Sequence, residues 1–323
     1  MSTPRTFDEK RARIRALTEE APAGAAGELR RFLTDKNGYL VGEAAQAANR
    51  LGLSELTPDL AAAFARLLID AVKTDKGCFG KNHIVEALLA LDAREADVYL
   101  AGLRHFQPEP AFGEPIDTAA GLRGLCALAL FHMDFPTALL DVAPLLMDPE
   151  PVTRASAADA IGTSGEEHGA AVLHLKALAG DAEPDVVGAC YRGLLRLLPA
   201  RYLRFVAQKL NGRDGGEAEA AALALGESRL PAALPVLKDA LSGAGSGKLR
   251  DSVLLGAALL RLDEANTYLI SLVEEGPEAH AVGALNALAL HRHDSKVSDR
   301  ARRATEGRRS KKVAAAFAEK FGR

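Results

Sequence analysis

An all-α solenoid, a stack of short antiparallel helix pairs, is the fold this sequence predicts, and three observations carry the expectation. The first is a recurring segment whose clearest copy, Asp148 to Gly162, reads DPEPVTRASAADAIG. Pro149 and Pro151 sit where a helix can begin, because a proline in the first turn forfeits no intrahelical hydrogen bond. Asp148 can accept from amides left free at that start. Arg154 and the small run Ala155 to Ala158 follow, and Gly162 stops the segment. The second observation is the period. Aligned copies place Lys81, Arg123, Arg154, Val187, Ala218, Arg250, Ala281 and Lys312 in one slot, at steps of 42, 31, 33, 31, 32, 31 and 31 residues. A degenerate first copy centres on Ala44, in YLVGEAAQAANRLG. So regular a step marks stacked repeats. The third is composition: 48% hydrophobic but only 5% aromatic, with no Trp. That suits thin helices packed pairwise and not the β-branched and aromatic alternation of a sandwich or barrel.

Taken in order, residues 1–24 read as an N-terminal cap, with Ile14 and Leu17 on the apolar side of a charged helix from Phe7 to Glu20. A solenoid needs such a cap to close its first apolar face. The repeat array spans residues 25–291, beginning with a helix around Glu28 to Leu33 paired with Gly38 to Leu51. Thr57 to Lys73 pairs with Lys81 to Leu91, and Ala96 to Phe106 with Thr118 to Met133. Later second helices fall near 152–162, 185–198, 216–226, 248–262, 279–290 and 310–321. Their first helices carry Leu and Val at i, i+3, i+4 spacing, as in ALLDVAPLLM and ALPVLKDALS. Turns such as GDAEPD, NGRDGG and SGAGSGK separate the two helices of a pair. Residues 292–323 form a basic C-terminal capping repeat.

A chain of 323 residues usually suggests two globular domains, but a solenoid grows by stacking and needs no second core. The formal charge of −3 supplies no overall electrostatic reason to bind nucleic acid. Cys78, Cys126 and Cys190 are odd in number and lack metal-site spacing, so no disulfide framework is expected, and Cys126 and Cys190, on apolar helix faces, are expected as buried thiols. The N-terminal stretch lacks the apolar core of a signal peptide. The most apolar stretch, Val253 to Leu262, is too short to span a bilayer. A soluble cytoplasmic protein without membrane insertion is the expectation.

At this point the chain resembles the HEAT-repeat proteins, in particular the short bacterial HEAT-like repeats also found in phycobilin lyases. The shared pattern is Asp, a few loop residues, a basic residue, then a small-rich helix and Leu-Gly. Here it stands as Asp148…Arg154…Ile161-Gly162 and as Ala218…Ala224-Leu225-Gly226. Tetratricopeptide and ankyrin arrays have similar periods, but their Trp-Leu-Gly-Tyr and Thr-Pro-Leu-His signatures are absent. The resemblance covers roughly residues 25 to 320 and implies an all-α, right-handed α-solenoid of about nine HEAT-like helix pairs. It also implies a ladder in which the turn acid pairs with the helix base, as Asp75 with Lys81, Asp117 with Arg123 and Asp148 with Arg154. A charge-assisted bond there fixes the entry angle of the helix; a ligand-binding Lys/Arg row is the sharper alternative. In the resembling family the second helix of each pair lines the concave side. Positions one and five residues after the slot would then floor the groove: Asn82/Glu86, Gly124/Leu128, Ala155/Asp159, Gly188/Arg192, Glu219/Leu223, Asp251/Leu255 and Val282/Asn286. The competing reading buries Leu128, Leu223 and Leu255 between repeats.

The 42-residue step contains an inserted loop at 107–116, QPEPAFGEPI, with three prolines and Phe112. Prolines make such a loop cheap to order. Gln107, Glu109 and Phe112 are its candidate functional residues, unless Phe106 and Phe112 fold back over a repeat junction. None of the eight histidines precedes Glu, so the His-Glu pairs of HEAT-type di-iron hydroxylases are missing. His291, His293 and Asp294 are a weak metal constellation, and a solvated helix terminus is the alternative. GSGK at Gly245 to Lys248 lacks the rest of a P-loop and reads as a turn. The segment Arg292 to Arg323 carries eleven Lys/Arg against four Asp/Glu, either a polar end cap or a polyanion site. No catalytic residues, cofactor or metal are expected. The function expected is a non-catalytic scaffold holding a protein or peptide in its groove. An enzyme of the bilin lyase or alkylpurine glycosylase type is the alternative, as is a nucleic-acid-binding solenoid using the basic C-terminus.

Overall fold

The small-rich, proline-started segments fold as helices throughout. The computed structural model describes residues 6–212, 215–243 and 247–322. The chain divides into two compact units, residues 1–164 and 165–323. The first unit opens with α1 (Phe7–Glu20), α2 (Ala25–Leu33), α3 (Gly38–Arg50), α4 (Thr57–Leu67), α5 (Ala71–Thr74), α6 (Phe79–Ala90) and α7 (Ala96–Leu103). A two-stranded ribbon, β1 (Pro108–Glu109) with β2 (Ile116–Asp117), precedes α8 (Ala120–His132). Then come α9 (Ala138–Val142), which runs on as a 3₁₀ turn, and α10 (Pro151–Thr163). The second unit holds α11 (Gly169–Ala179), α12 (Pro184–Leu197), α13 (Pro199–Lys209), α14 (Gly215–Glu227), α15 (Ala233–Gly243), α16 (Gly247–Leu259), α17 (Asp263–Glu275), α18 (Glu278–Leu288), α19 (Ser295–Glu306) and α20 (Lys311–Phe321). Among the described residues these make nine helix pairs, four in the first unit and five in the second. The architecture is an all-α helical-repeat stack.

The second helices stack on one another, α3, α6, α8 and α10 in the first unit and α12 to α20 by even numbers in the second. Small residues set how closely they approach. A Cβ on Gly80 would lie 2.5 Å from the Gly38 carbonyl oxygen, and one on Gly256 2.5 Å from that of Ala222. The cap α1 begins with a capping box between Thr6 and Glu9 and buries Ile14 and Leu17. Arg13 grips Glu28 of α2 with two hydrogen bonds of 2.8 and 2.6 Å.

Among the described residues, six of the nine second helices are terminated by a left-handed residue, at Gly52, Asp92, Asp134, Gly165, Arg229 and Arg261. Every one stands eleven residues after the slot residue of its repeat. This corrects the register of the first copy, whose slot is Val41 and not Ala44. The last copy shifts too: α20 is capped by Ser310, and the caps of α8, α10, α12 and α18 stand four residues before the slot, which makes the slot Ala314 and not Lys312. Small residues recur so densely in both segments that sequence alignment alone slides.

A single helix from Thr57 to Lys73 is also corrected. The helix α4 stops at Leu67, Asp70 takes φ 49°, and α5 follows as one short turn. The Lys81 ammonium donates to the Leu67 carbonyl at 3.3 Å, satisfying a carbonyl that the helix end leaves free. The insertion is an ordered ribbon, where no strand was expected. Gly245 and Ser246 of the GSGK stretch, like Arg213 and Asp214 of NGRDGG, lie outside the described residues; Gly247 and Lys248 open α16.

Candidate functional site

Three arrangements hold the polar side chains of the first unit: the turns between paired helices, the insertion, and the exposed edge of the second helices. At the turns the constant element is the acid. Asp35, Asp117, Asp148 and Asp181 (the last in the second unit) each accept the amide two residues on, at 2.9 to 3.0 Å. Asp75 accepts instead from Gly80 and Lys81, at 2.6 and 3.0 Å. Each stands six residues before its slot.

The cation partner varies. Lys81 meets Asp75 at 2.8 Å with both side chains fully buried. Arg123 meets Asp117 at 2.7 Å and the His105 carbonyl at 2.9 Å, and it grips both oxygens of Asp148 at 2.8 Å. The pairing of Asp148 with Arg154 is therefore corrected. The Asp148 carboxylate belongs to Arg123 of the preceding repeat, while Arg154 donates to the backbone carbonyls of Asp148 and Pro149. A planar guanidinium on α8 can reach two consecutive turns at once, which a spacing rule within one repeat does not foresee. Asp35 with Lys10 and Asp181 with Lys176 make two further buried or half-buried pairs. Sequence reasoning missed both acids; Asp-x-Asn and Asp-x-Glu before a helix start were the available signal.

The insertion locks onto the neighbouring turn. Gln107 and Glu109 are buried, not displayed. Oε1 of Glu109 accepts from the Gly77 amide at 2.6 Å, from Gln107 Nε2 at 2.7 Å and from Thr118 Oγ1 at 2.9 Å. Gln107 also donates to the Asp75 carbonyl at 2.8 Å. Burial pushes the Glu109 carboxyl up, but these donors outweigh it and hold it below the usual range. Gly77 and Cys78 are both left-handed, and the turn presents the Gly77 amide to the carboxylate while the Cys78 amide donates to the Asp75 carbonyl. Phe106 lies over the Arg123 guanidinium at 4.1 Å, whereas Phe112 at the ribbon tip is fully exposed and covers nothing.

On the solvent edge of the first unit, Glu86 and Leu128 are exposed and Asn82 and Asp159 half-buried. In the second unit Leu255 and Asn286 are exposed, and Arg192 and Leu223 half-buried. None of the three leucines is sealed between repeats: Leu128 is 42% exposed and Leu255 37%. The corrected register adds Gln46 to this row, as the residue five after Val41. An aromatic strip missed in the sequence runs beside it. Tyr39 stacks on Phe79 at 4.4 Å, Phe79 meets His83 edge-on at 4.2 Å, and Phe7 reaches Tyr39 at 5.8 Å. Its members are scattered at unequal steps, so only the packed helices bring them together.

In the second unit several polar groups are held by the preceding repeat. His291 Nε2 lies 2.9 Å from the Ala258 carbonyl, and Asp294 caps α19. Among the described residues no three His, Cys, Asp or Glu cluster as metal ligands. In the basic C-terminal pair, Arg308 donates to the Val273 carbonyl at 3.1 Å and Lys312 meets Glu278 at 3.0 Å. No helix of the described residues is long and apolar enough to cross a membrane.

The three cysteines are buried. Burial pushes the Cys78 thiol up to about 12 and Cys126 up as well, so little thiolate forms near neutral pH. Ellman's reagent is expected to titrate no thiol rapidly in the native chain and all three after denaturation. A fast-reacting native thiol overturns this.

No family model and no curated protein matches the chain. Solved structures similar to it include the CpcE–CpcF complex of phycocyanin lyase from Nostoc sp., 15% identical with a TM-score of 0.39, covering 91% of this chain and 94% of that one. An engineered protein is 16% identical with a TM-score of 0.38, over 99% and 97%. Human deoxyhypusine hydroxylase in complex with glycerol is 15% identical with a TM-score of 0.30, over 95% and 96%. The fold assignment rests on the chain's own paired, stacked helices.

Proposed function

We propose that the chain is a non-catalytic helical-repeat scaffold that binds an extended protein or peptide segment along the exposed edge of its second helices. One observation carries the reading. In each unit the fifth position after the slot is at least partly open to solvent in every internal repeat, and it holds an unlike set: Gln46, Glu86, Leu128 and Asp159, then Arg192, Leu223, Leu255 and Asn286. Structural demands do not explain leucines at solvent positions of a helix. Apolar anchors among isolated polar groups suit an extended segment better than a phosphate backbone, which calls for rows of Lys/Arg. The buried titratable groups support binding over catalysis, since Asp75, Lys81, Glu109, Arg123 and Asp148 are all taken up in holding turns.

Dodecamer peptides selected from a random library on the wild-type chain test this. Peptides are expected to fall into classes that lose about tenfold in affinity on Leu128→Gln or on Leu255→Gln, with the melting temperature unchanged. A selection whose peptides bind both variants as tightly as wild type removes the edge as the binding surface.

A further inference from the structure

A pocket of about 340 Å³ opens on this edge between α6 and α8, lined chiefly by Phe79, Asn82, His83, Glu86, Gly121 and Leu125. We propose that it receives an arginine side chain of the bound segment, an inference that rests on the edge being the binding surface. Phe79 and Leu125, both half-buried, supply walls for an aliphatic stem. Gly121 leaves the space open: a Cβ built there meets nothing within 4 Å.

The polar side of the pocket asks for a donor. Glu86 Oε2 lies 2.6 Å from His83 Nδ1, and the Gln46 amide nitrogen lies 3.0 Å from Nε2 of the same ring. The same amide nitrogen lies 3.1 Å from Nδ1, so the amide, the ring and the carboxylate form one polar cluster. Among the described residues the ion-pair partner of Glu86 is this histidine and no lysine or arginine. The Glu86 side chain is 48% exposed, so the charge stands at the pocket's mouth. The Asn82 side-chain oxygen is shielded from solvent and receives no hydrogen bond. Rotation of that amide brings an unused acceptor to the incoming group. The field has the same sign, because residues 1–164 carry 17 Lys/Arg against 23 Asp/Glu, a net −6. Arginine fits better than lysine: its planar fork serves a carboxylate and a second acceptor together, and it gives up its hydration more readily.

The test is fluorescence anisotropy with a fluorescein-labelled hexa-arginine peptide, hexa-lysine alongside, on the full chain. Gly121→Leu fills the pocket without changing charge, Glu86→Gln removes the acceptor charge, and Glu55→Gln is a remote acid control. Gly121→Leu and Glu86→Gln are each expected to weaken hexa-arginine binding about tenfold, Glu55→Gln less than about twofold, and hexa-lysine to bind several-fold more weakly than hexa-arginine. Should Gly121→Leu melt early, Glu86→Gln decides alone, since its side chain is exposed. Equal losses in Glu86→Gln and Glu55→Gln mean general attraction to an acidic unit and overturn the pocket. No binding by wild type overturns it as well. The edge reading falls separately, only if library-selected peptides ignore Leu128→Gln and Leu255→Gln.

Discussion

Arg123→Ala is expected to destabilise the unit of residues 1–164 by about 3–5 kcal/mol, the cost of leaving buried charges without their partner. Its side chain is fully buried, and it satisfies Asp117, both oxygens of Asp148 and the His105 carbonyl. The carboxylates of two turns lose their shared cation, and Phe106 loses the guanidinium beneath it. Arg123→Lys is expected to recover little, because one ammonium cannot replace a fork reaching in two directions. Arg154→Ala leaves the Asp148 carboxylate with Arg123 and is expected to cost clearly less. Urea unfolding of the three variants checks the order; equal losses for Arg123→Ala and Arg154→Ala remove the two-turn clamp.

The same cluster sets an acid limit. Burial pushes the Asp117 carboxyl up, but the Gln107 amide, Arg123 and the Ala119 amide outweigh it, and the net displacement is downward. A carboxyl lowered in the folded state contributes stability that is complete above its unfolded value, near 3.8, and is lost as pH falls through the folded value. Stability is therefore expected to hold through mildly acidic pH and to fall below that carboxyl range, less steeply in Arg123→Ala.

Gly256→Val is expected to cost about 3 kcal/mol or more in the unit of residues 165–323, because overpacking against rigid atoms forces helices apart. A Cβ at Gly256 falls 2.5 Å from the Ala222 oxygen and 3.2 Å from its carbonyl carbon, both backbone atoms of α14. Backbone cannot rotate aside, so α14 and α16 must separate and the leucines around them lose contact. Gly27, inside α2, would place a Cβ with nothing within 4 Å. Gly27→Ala is expected to do the opposite and stabilise by about 0.5–1 kcal/mol, through helix propensity and a less flexible unfolded chain. Thermal melts of both variants check the contrast, and Gly256→Val melting like wild type would show the helices to be less tightly apposed.

The helices, their pairing and their period are written in the sequence alone. Proline starts, small-rich faces and Leu at i, i+3, i+4 are local signals, and a solenoid is built from neighbouring contacts that local signals describe. Ile14 and Leu17 were legible as the buried side of the cap for the same reason, since the period of one helix is enough to place them. Where polar groups find their partners emerges only when the repeats pack. Asp148 reaches back 25 residues to Arg123, Glu109 reaches 32 residues to Gly77, and Tyr39, Phe79 and His83 form one strip from two helices. The register at Val41 and Ala314 likewise follows from helix caps and left-handed terminators, because a run of alanines fits several alignments equally well. Side-chain hydrogen bonds depend on ångström distances between repeats, and a spacing rule read along one repeat carries no information about the next.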